Sequence, residues 1–378
     1  MSLAKISTNR HNNLLEDSVK NFAEVEYQKE ISNEEDFDLI VLYGGLRELF
    51  YFTESQYKEE CLVNKFKKTP KRLLINSHLE GGFNIPVRIL KNTLNFYQNE
   101  LHIKTVIATQ NENFCKLSPN IKYLHRWWLC PKFFKDKVSL NDNPYYKFNY
   151  IMGQPRRDKL EFSKLLYDNR LLGGNLSAWL SAEKGERTKL AINNSKNSID
   201  GYKYIYNKLF PDKDAAHLSL DEMLKDMPDS YKDSKNIMEI NLPYCILNSR
   251  FSLIQETEMG EVSNRYTEKT LKPMEVGQPF LIAGNYKSLD LLRKDGFKTF
   301  HPHINEEYDN IKNKRIRGLA IIKEVKRLCS LTEKEWLILV KKISNRLDHN
   351  KKHLNVIHNK YVCEYNNIVS SLLSDNLV

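Results

Sequence analysis

The chain has 378 residues, 58 Lys and Arg against 48 Asp and Glu for a formal net charge of +10, and a 41% hydrophobic content that includes 20 Tyr and 17 Phe. That length accommodates two domains with a core in each, and that apolar content excludes a disordered chain. The six cysteines, at 61, 115, 130, 245, 329 and 363, include no close pair, and the sequence holds neither the apolar run of a signal peptide nor a membrane-length apolar stretch; this argues against a zinc cage and a disulfide framework and for a soluble, cytoplasmic protein.

Residues 1–36, rich in Asn, Glu and Lys, read as a flexible or helical leader. The first strand is expected over Asp38 to Tyr43 (DLIVLY), followed by Gly44 and Gly45. The full GxGxxG fingerprint of a dinucleotide turn is absent, so the glycine pair reads as a tight strand exit. Further strands follow at Arg72 to Asn76 (RLLIN) and Lys104 to Thr109 (KTVIAT), with a crossover helix over Arg88 to Phe96 between them. Apolar runs of this length separated by a helical segment predict a first α/β domain over residues 37–145. Within it, the loop after RLLIN reads SHLEGGFN and presents His78 and Glu80 just beyond a strand end. The segment 123–146 is aromatic and basic; its adjacent Trp127 and Trp128 could stack on a sugar or base, or divide between core and interface.

A second α/β domain is expected over 146–310. It opens with a strand, Lys147 to Met152 (KFNYIM), then a turn containing Gly153 and Pro155, then an amphipathic helix with Leu160, Leu165 and Leu166 facing inward. Arg156, Arg157 and Lys159 stand where that strand hands over to the helix, a position from which cations neutralise a leaving diphosphate. A strand is expected over Leu176 to Ser181, and helices around Asp200 to Leu209 and Ser219 to Met227. The pairs Asp36 with Asp38 and Asp212 with Asp214 have Asp-x-Asp spacing, but neither follows an apolar strand as a metal-bridged diphosphate site requires. Both read as solvent-exposed, and no metal is expected to be needed.

From Leu242 a short helix leads to the strand FSLIQET, which begins at Phe251 and ends near Glu256. A polar loop follows, then RYTEKTLKPMEVG as a helix opening on charged residues, QPFLIAG as a strand, a leucine-spaced helix, and Gly296 to Phe300 (GFKTF) as the approach to a third strand. Ligands of parallel sheets lie in the crevice at the carboxyl ends of the strands. Tyr266, Thr267, Glu268 and Lys269 fall there, at the first turn of a helix. A carboxylate at that position can accept hydrogen bonds from both hydroxyls of a ribose, and a lysine beside the helix amino end can hold phosphate oxygens. Pro273, about one turn in, removes an amide donor and would kink the helix or delay its start.

After Phe300, HPHINEEYD places His301 and His303 near Glu306 and Glu307, a spacing that reads as a loop rather than a metal site. From Lys312 to Lys360 there are 14 Lys and Arg against 4 Asp and Glu, which accounts for the entire net charge. Trp336, Val340, Ile343 and Leu347 recur there at helical spacing, so one face is expected to be buried with lysines on the solvated side. Basic helices over 311–378, long enough to cross back to the first domain, would contact an anionic surface, whether DNA or membrane, or solvent alone.

The segment Arg265 to Gly284, RYTEKTLKPMEVGQPFLIAG, resembles the donor-binding segment of GT-B glycosyltransferases, most nearly the fucosyltransferase and exostosin-like groups and related phage and bacterial glycosyltransferases, where a stretch like Gly296 to Phe300 follows. The resemblance covers about one seventh of the chain well. It implies two Rossmann-like domains whose parallel sheets face a cleft, with a UDP- or GDP-sugar as substrate and no required cofactor. By that likeness Glu268 would hold the ribose, and Tyr266 and Lys269 would contact base or phosphate; Glu256, from its place at the end of the strand, could reach the sugar hydroxyls or hold Arg265. An inverting transfer needs a base for the acceptor hydroxyl; the resemblance implies that it comes from the first domain, where Glu80 or His78 could supply it. The acceptor would be a glycan or a modified DNA base. The alternative is a non-catalytic nucleotide- or nucleic-acid-binding protein on the same fold.

Overall fold

A computed structural model describes residues 4–8, 25–28, 39–43, 71–77, 86–109, 111–124, 139–144, 146–152, 157–171, 176–179, 246–256, 258–260 and 266–374. Two compact units emerge, one of Met1–Pro131 with Val356–Val378 and one of Lys132–Asn355.

In the first unit, β1 (Ala4–Thr8), β2 (Val25–Gln28), β3 (Leu39–Tyr43), β4 (Arg72–Ser77), β5 (Lys104–Thr109) and β6 (Ile121–Tyr123) form one sheet in the order β2-β1-β3-β4-β5-β6, with every pairing parallel. The helix α1 (Val87–Asn95) runs on as a π-helical turn, Phe96–Glu100, and α2 (Glu112–Cys115) precedes β6. Ile89, Leu90 and Leu94 of α1 pack with Ile40, Leu42, Leu73, Ile75 and Ile107 of the central strands. Buried on both faces, those strands read as continuous apolar runs, which is why the sequence reveals them. The leader is corrected: β1 and β2 lie within residues 1–36 and extend the sheet, though AKIST and VEYQ carry no apolar run.

The second unit holds β7 (Tyr146–Met152), α3 (Arg157–Asp168), β8 (Leu176–Trp179), β9 (Ser249–Gln255), α4 (Glu268–Val276), β10 (Phe280–Ala283), α5 (Ser288–Lys294) and α6 (Lys314–Ser330). Its sheet has the order β10-β9-β7-β8, again all parallel. The protein is therefore an α/β molecule of two Rossmann-like units, as the sequence leads one to expect.

A third strand at Phe297–Phe300 does not form. The Lys298 N–H donates to the Asn350 side chain and the Lys298 carbonyl accepts from it, each at 2.8 Å, so this segment is fastened to a helix instead of a ladder. That helix, α7 (Glu333–Leu373), begins in the second unit and ends in the first. Trp336, Ile343 and Leu347 are buried and Val340 is half-buried, the face that the helical spacing identifies. Within the first unit the Lys104 ammonium donates to the carbonyls of Ser371 and Ser374 at 3.2 and 2.7 Å.

Candidate functional site

The carboxyl end of β9 is where the second unit gathers its polar side chains. Gln255, its last residue, donates to the Asp158 carbonyl in the first turn of α3 at 3.3 Å. The next residue, Glu256, turns the other way and binds the amino end of α4. Its Oε1 accepts from the Thr267 N–H at 2.9 Å and the Thr270 hydroxyl at 2.7 Å, and its Oε2 accepts from the Thr267 hydroxyl at 2.7 Å. Two helix amino ends, α3 and α4, thus meet the same edge of the sheet, where their dipoles favour an anion.

Thr267 is the N-cap of α4, with extended backbone and a side chain that accepts from the Lys269 N–H at 3.4 Å. A threonine there satisfies an amide that has no partner inside the helix. The helix starts regularly at Glu268 and runs through Pro273 to Val276, so the proline neither delays its start nor ends it.

Glu268 is 6% exposed. Its Oε1 accepts from the Lys269 ammonium at 3.1 Å, while its Oε2 is buried without a hydrogen-bond partner. Burial alone would push this carboxyl up, but Lys269 and Lys272 beside it hold it below the usual carboxylate range, so it is ionised at neutral pH. A buried, charged oxygen with unused acceptor capacity is costly unless a donor reaches it, and a ligand hydroxyl is such a donor. Lys269 also donates to the Thr267 hydroxyl at 3.2 Å, which holds its ammonium over the helix start.

The loop leaving β9 is pinned from three sides. The Met259 N–H donates to Asp158 at 3.1 Å, and Asp158 also pairs with Lys314 at 2.7 Å. The Gly260 N–H donates to the Asn285 side chain at 2.5 Å, at the carboxyl end of β10. Arg317 of α6, 1% exposed, donates from its three nitrogens to five carbonyls, those of Gly284, Ile311, Lys312, Met259 and Gly260, at 2.5 to 3.2 Å. Asp158, Asn285 and Arg317 are the residues that sequence reasoning does not reach. Asp158 carries the faint signal of an acid at a helix start, whereas Arg317 looks like one more cation of a basic helix.

The structure sorts the expected site residues. Glu256, Thr267, Glu268 and Lys269 stand together. Lys159, 3% exposed, lies in the first turn of α3 beside Asp158. Glu256 has both oxygens engaged by α4, so it docks that helix. Tyr266, expected at base or phosphate, is fully buried and its hydroxyl donates to Asp295, so its ring anchors the entry to α4. Arg157 opens α3. Arg156, Arg265, His78, Glu80, Trp127, Trp128, the glycine pair at 44 and 45, both Asp-x-Asp pairs and the helices expected over 200–209 and 219–227 lie outside the described residues. Glu306 accepts from Arg293 at 3.1 Å and from the Phe300 N–H, and is thereby committed to its own loop.

No protein-family model matches this sequence, and no curated relative matches it. Among solved structures the fold is similar in outline to an alpha1,3-fucosyltransferase at 10% identity and a TM-score of 0.47, over 99% of this chain and 93% of that one. It is similar to the DNA-modifying enzyme beta-glucosyltransferase at 11% identity and a TM-score of 0.39, over 98% of this chain and 99% of that one. The catalytic domain of starch synthase IV from Arabidopsis thaliana, bound to ADP and acarbose, matches at 11% identity and a TM-score of 0.37, over 87% of this chain and 74% of that one.

Proposed function

We propose that this chain is a glycosyltransferase that moves a sugar from a UDP- or GDP-linked donor to a hydroxyl of a glycan or a modified DNA base, with cationic side chains serving the diphosphate in place of a metal. The observation that carries this reading is Glu268: an ionised, buried carboxylate with one oxygen on Lys269 and the other without a partner, at a helix amino end above a parallel sheet.

In this reading Glu268 accepts the ribose hydroxyls and Lys269 meets a phosphate oxygen. Arg157 and Lys159 in the first turn of α3, together with Arg156, which precedes them in sequence, oppose the charge that builds on the diphosphate as the glycosidic bond breaks. Glu80, or His78 beside it, takes the acceptor proton as the acceptor oxygen attacks the anomeric carbon and the nucleoside diphosphate departs. Glu256 and Arg317 are positioning residues that fix the helix and loop around the site.

Thermal unfolding with UDP and with GDP tests this, because a ligand that binds only the folded state raises the melting temperature. One nucleotide is expected to raise Tm in the wild type and not in Glu268→Ala, and the matching nucleotide sugar is expected to be hydrolysed or transferred. Silence toward both nucleotides, or a shift that survives Glu268→Ala, would overturn the reading. Binding with no turnover across a panel of UDP- and GDP-sugars would leave a nucleotide-binding protein and no enzyme.

A further inference from the structure

The loop after α5 and the middle of α7 line an open hollow of about 640 Å³ within the second unit. Arg293, Lys298, His301, His303, Lys342 and Arg346 line it, and no Asp or Glu does. It shares no residue with the Glu268 site. Lysine and arginine offer donors only, so the four cations of this wall suit an anion.

The hollow is built before any ligand arrives. The Arg346 guanidinium donates through Nη1 to the carbonyls of Thr299 and His301, at 2.5 and 2.6 Å, which fixes its plane at the rim. Asn350, 1% exposed, clamps both backbone groups of Lys298. Arg293 is held by Glu306 at 3.1 Å. Lys298 and Lys342 are exposed, and among the described residues neither forms an ion pair. Two exposed ammoniums thus share the hollow with two fixed guanidiniums.

The cationic wall also runs on. Along α7, Lys342 and Arg346 share a face with His349, and Lys352 follows a turn later, about 60° further round the helix. From 342 to 352 the helix rises about 15 Å. A single phosphate needs about one turn of that length, whereas a chain of phosphates uses all of it. A bilayer meets a convex face, and this surface is concave. From these features we infer that the hollow and the α7 face beyond it bind a nucleic-acid strand through its phosphates, independently of the nucleotide-sugar reading.

Fluorescence anisotropy with labelled single-stranded and duplex oligonucleotides, on the full chain across a salt series, is the test. Wild type is expected to bind with an affinity that falls steeply with salt. Lys298→Glu with Lys342→Glu is expected to weaken binding by about tenfold or more and to flatten the salt slope by about one unit for each phosphate that is no longer neutralised. Lys326→Glu with Lys351→Glu, likewise exposed and equal in charge change, is expected to leave the affinity within about twofold if the binding is local rather than a net-charge effect. Glu268→Gln is expected to leave oligonucleotide binding unchanged, which separates this site from the nucleotide-sugar reading. Equal losses in the two double variants would overturn the inference, as would no oligonucleotide binding, or capture by phosphatidylserine vesicles without it.

Discussion

The carboxylate of Glu256 accepts both the backbone N–H and the hydroxyl of Thr267, at 2.9 and 2.7 Å, so the end of β9 and the cap of α4 form one rigid corner. A third bond, from the Thr270 hydroxyl at 2.7 Å, completes it. Replacing Glu256 by Ala leaves a buried amide and two hydroxyls without their acceptor. The expected cost is about 3 kcal/mol, read as a fall in the urea midpoint at constant m-value. Glu256→Gln keeps acceptor capacity in one oxygen and should cost less, about 1 to 2 kcal/mol. Equal stability of wild type and Glu256→Ala would show that α4 is held by packing alone.

Glu268 should leave its mark on the acid limb of stability. Its carboxyl is held below the usual range in the folded protein despite burial, through Lys269 and Lys272. A group with a depressed folded value stabilises the fold above its unfolded value, about 4.3, and that contribution disappears as pH falls through the lower folded value. Wild type is therefore expected to lose stability more steeply below about pH 4.5 than Glu268→Gln, with the two curves running parallel near neutrality. Unfolding by urea at a series of pH values checks this, and identical acid limbs would show that the carboxylate gains nothing from its lysines.

Two glycines of positive φ separate the cost of backbone from the cost of space. Gly277 ends α4 at φ 76° with no atom within 4 Å of an added Cβ, whereas Gly296, at φ 89°, would place its Cβ 2.6 Å from the His353 ring. That ring is bonded to the Asp295 carbonyl at 2.7 Å and stacks with His349, so it cannot simply swing away. Gly277→Ala is expected to cost about 1 kcal/mol, from conformation alone. Gly296→Ala should cost about 2 to 4 kcal/mol, because the clash adds to the same conformational penalty. Equal shifts in Tm would mean that the His353 ring yields freely.

Residues at strand ends were legible where chemistry and pattern coincide. LIVLY, KTVIAT and FLIA are apolar because parallel strands are covered on both faces, so their positions follow from the sequence. Thr267-Glu268-Lys269 was legible because a cap followed by an acid marks a helix start. The strands AKIST and VEYQ were not, since four or five residues with only two apolar ones each do not differ from a polar leader until they find a neighbour. Tyr266 fell to the core for a related reason: a tyrosine beside a polar cluster looks exposed until its hydroxyl is seen to reach Asp295, 29 residues on. Lys298 and Arg346, 48 residues apart, face one hollow only because Asn350 ties the loop to α7.

Arg317 offers the sharpest test of how the loop beside the site is held. Its guanidinium spreads five hydrogen bonds over carbonyls from the end of β10, the loop after β9 and the approach to α6. Lysine carries the same charge, but its three donors leave from one nitrogen and cannot span those directions. Arg317→Lys is thus expected to destabilise by about 2 to 3 kcal/mol even though net charge is unchanged. Arg317→Met, which removes every donor while filling similar space, should cost about 3 to 5 kcal/mol. Because Met259 and Gly260 belong to the loop that leaves β9, whose end docks α4 through Glu256, both variants are also expected to lose the nucleotide-induced rise in Tm at temperatures where they remain folded. Denaturant unfolding paired with nucleotide titration checks both halves, and a folded Arg317→Lys protein with the full nucleotide shift would show that the loop holds its shape without the fork.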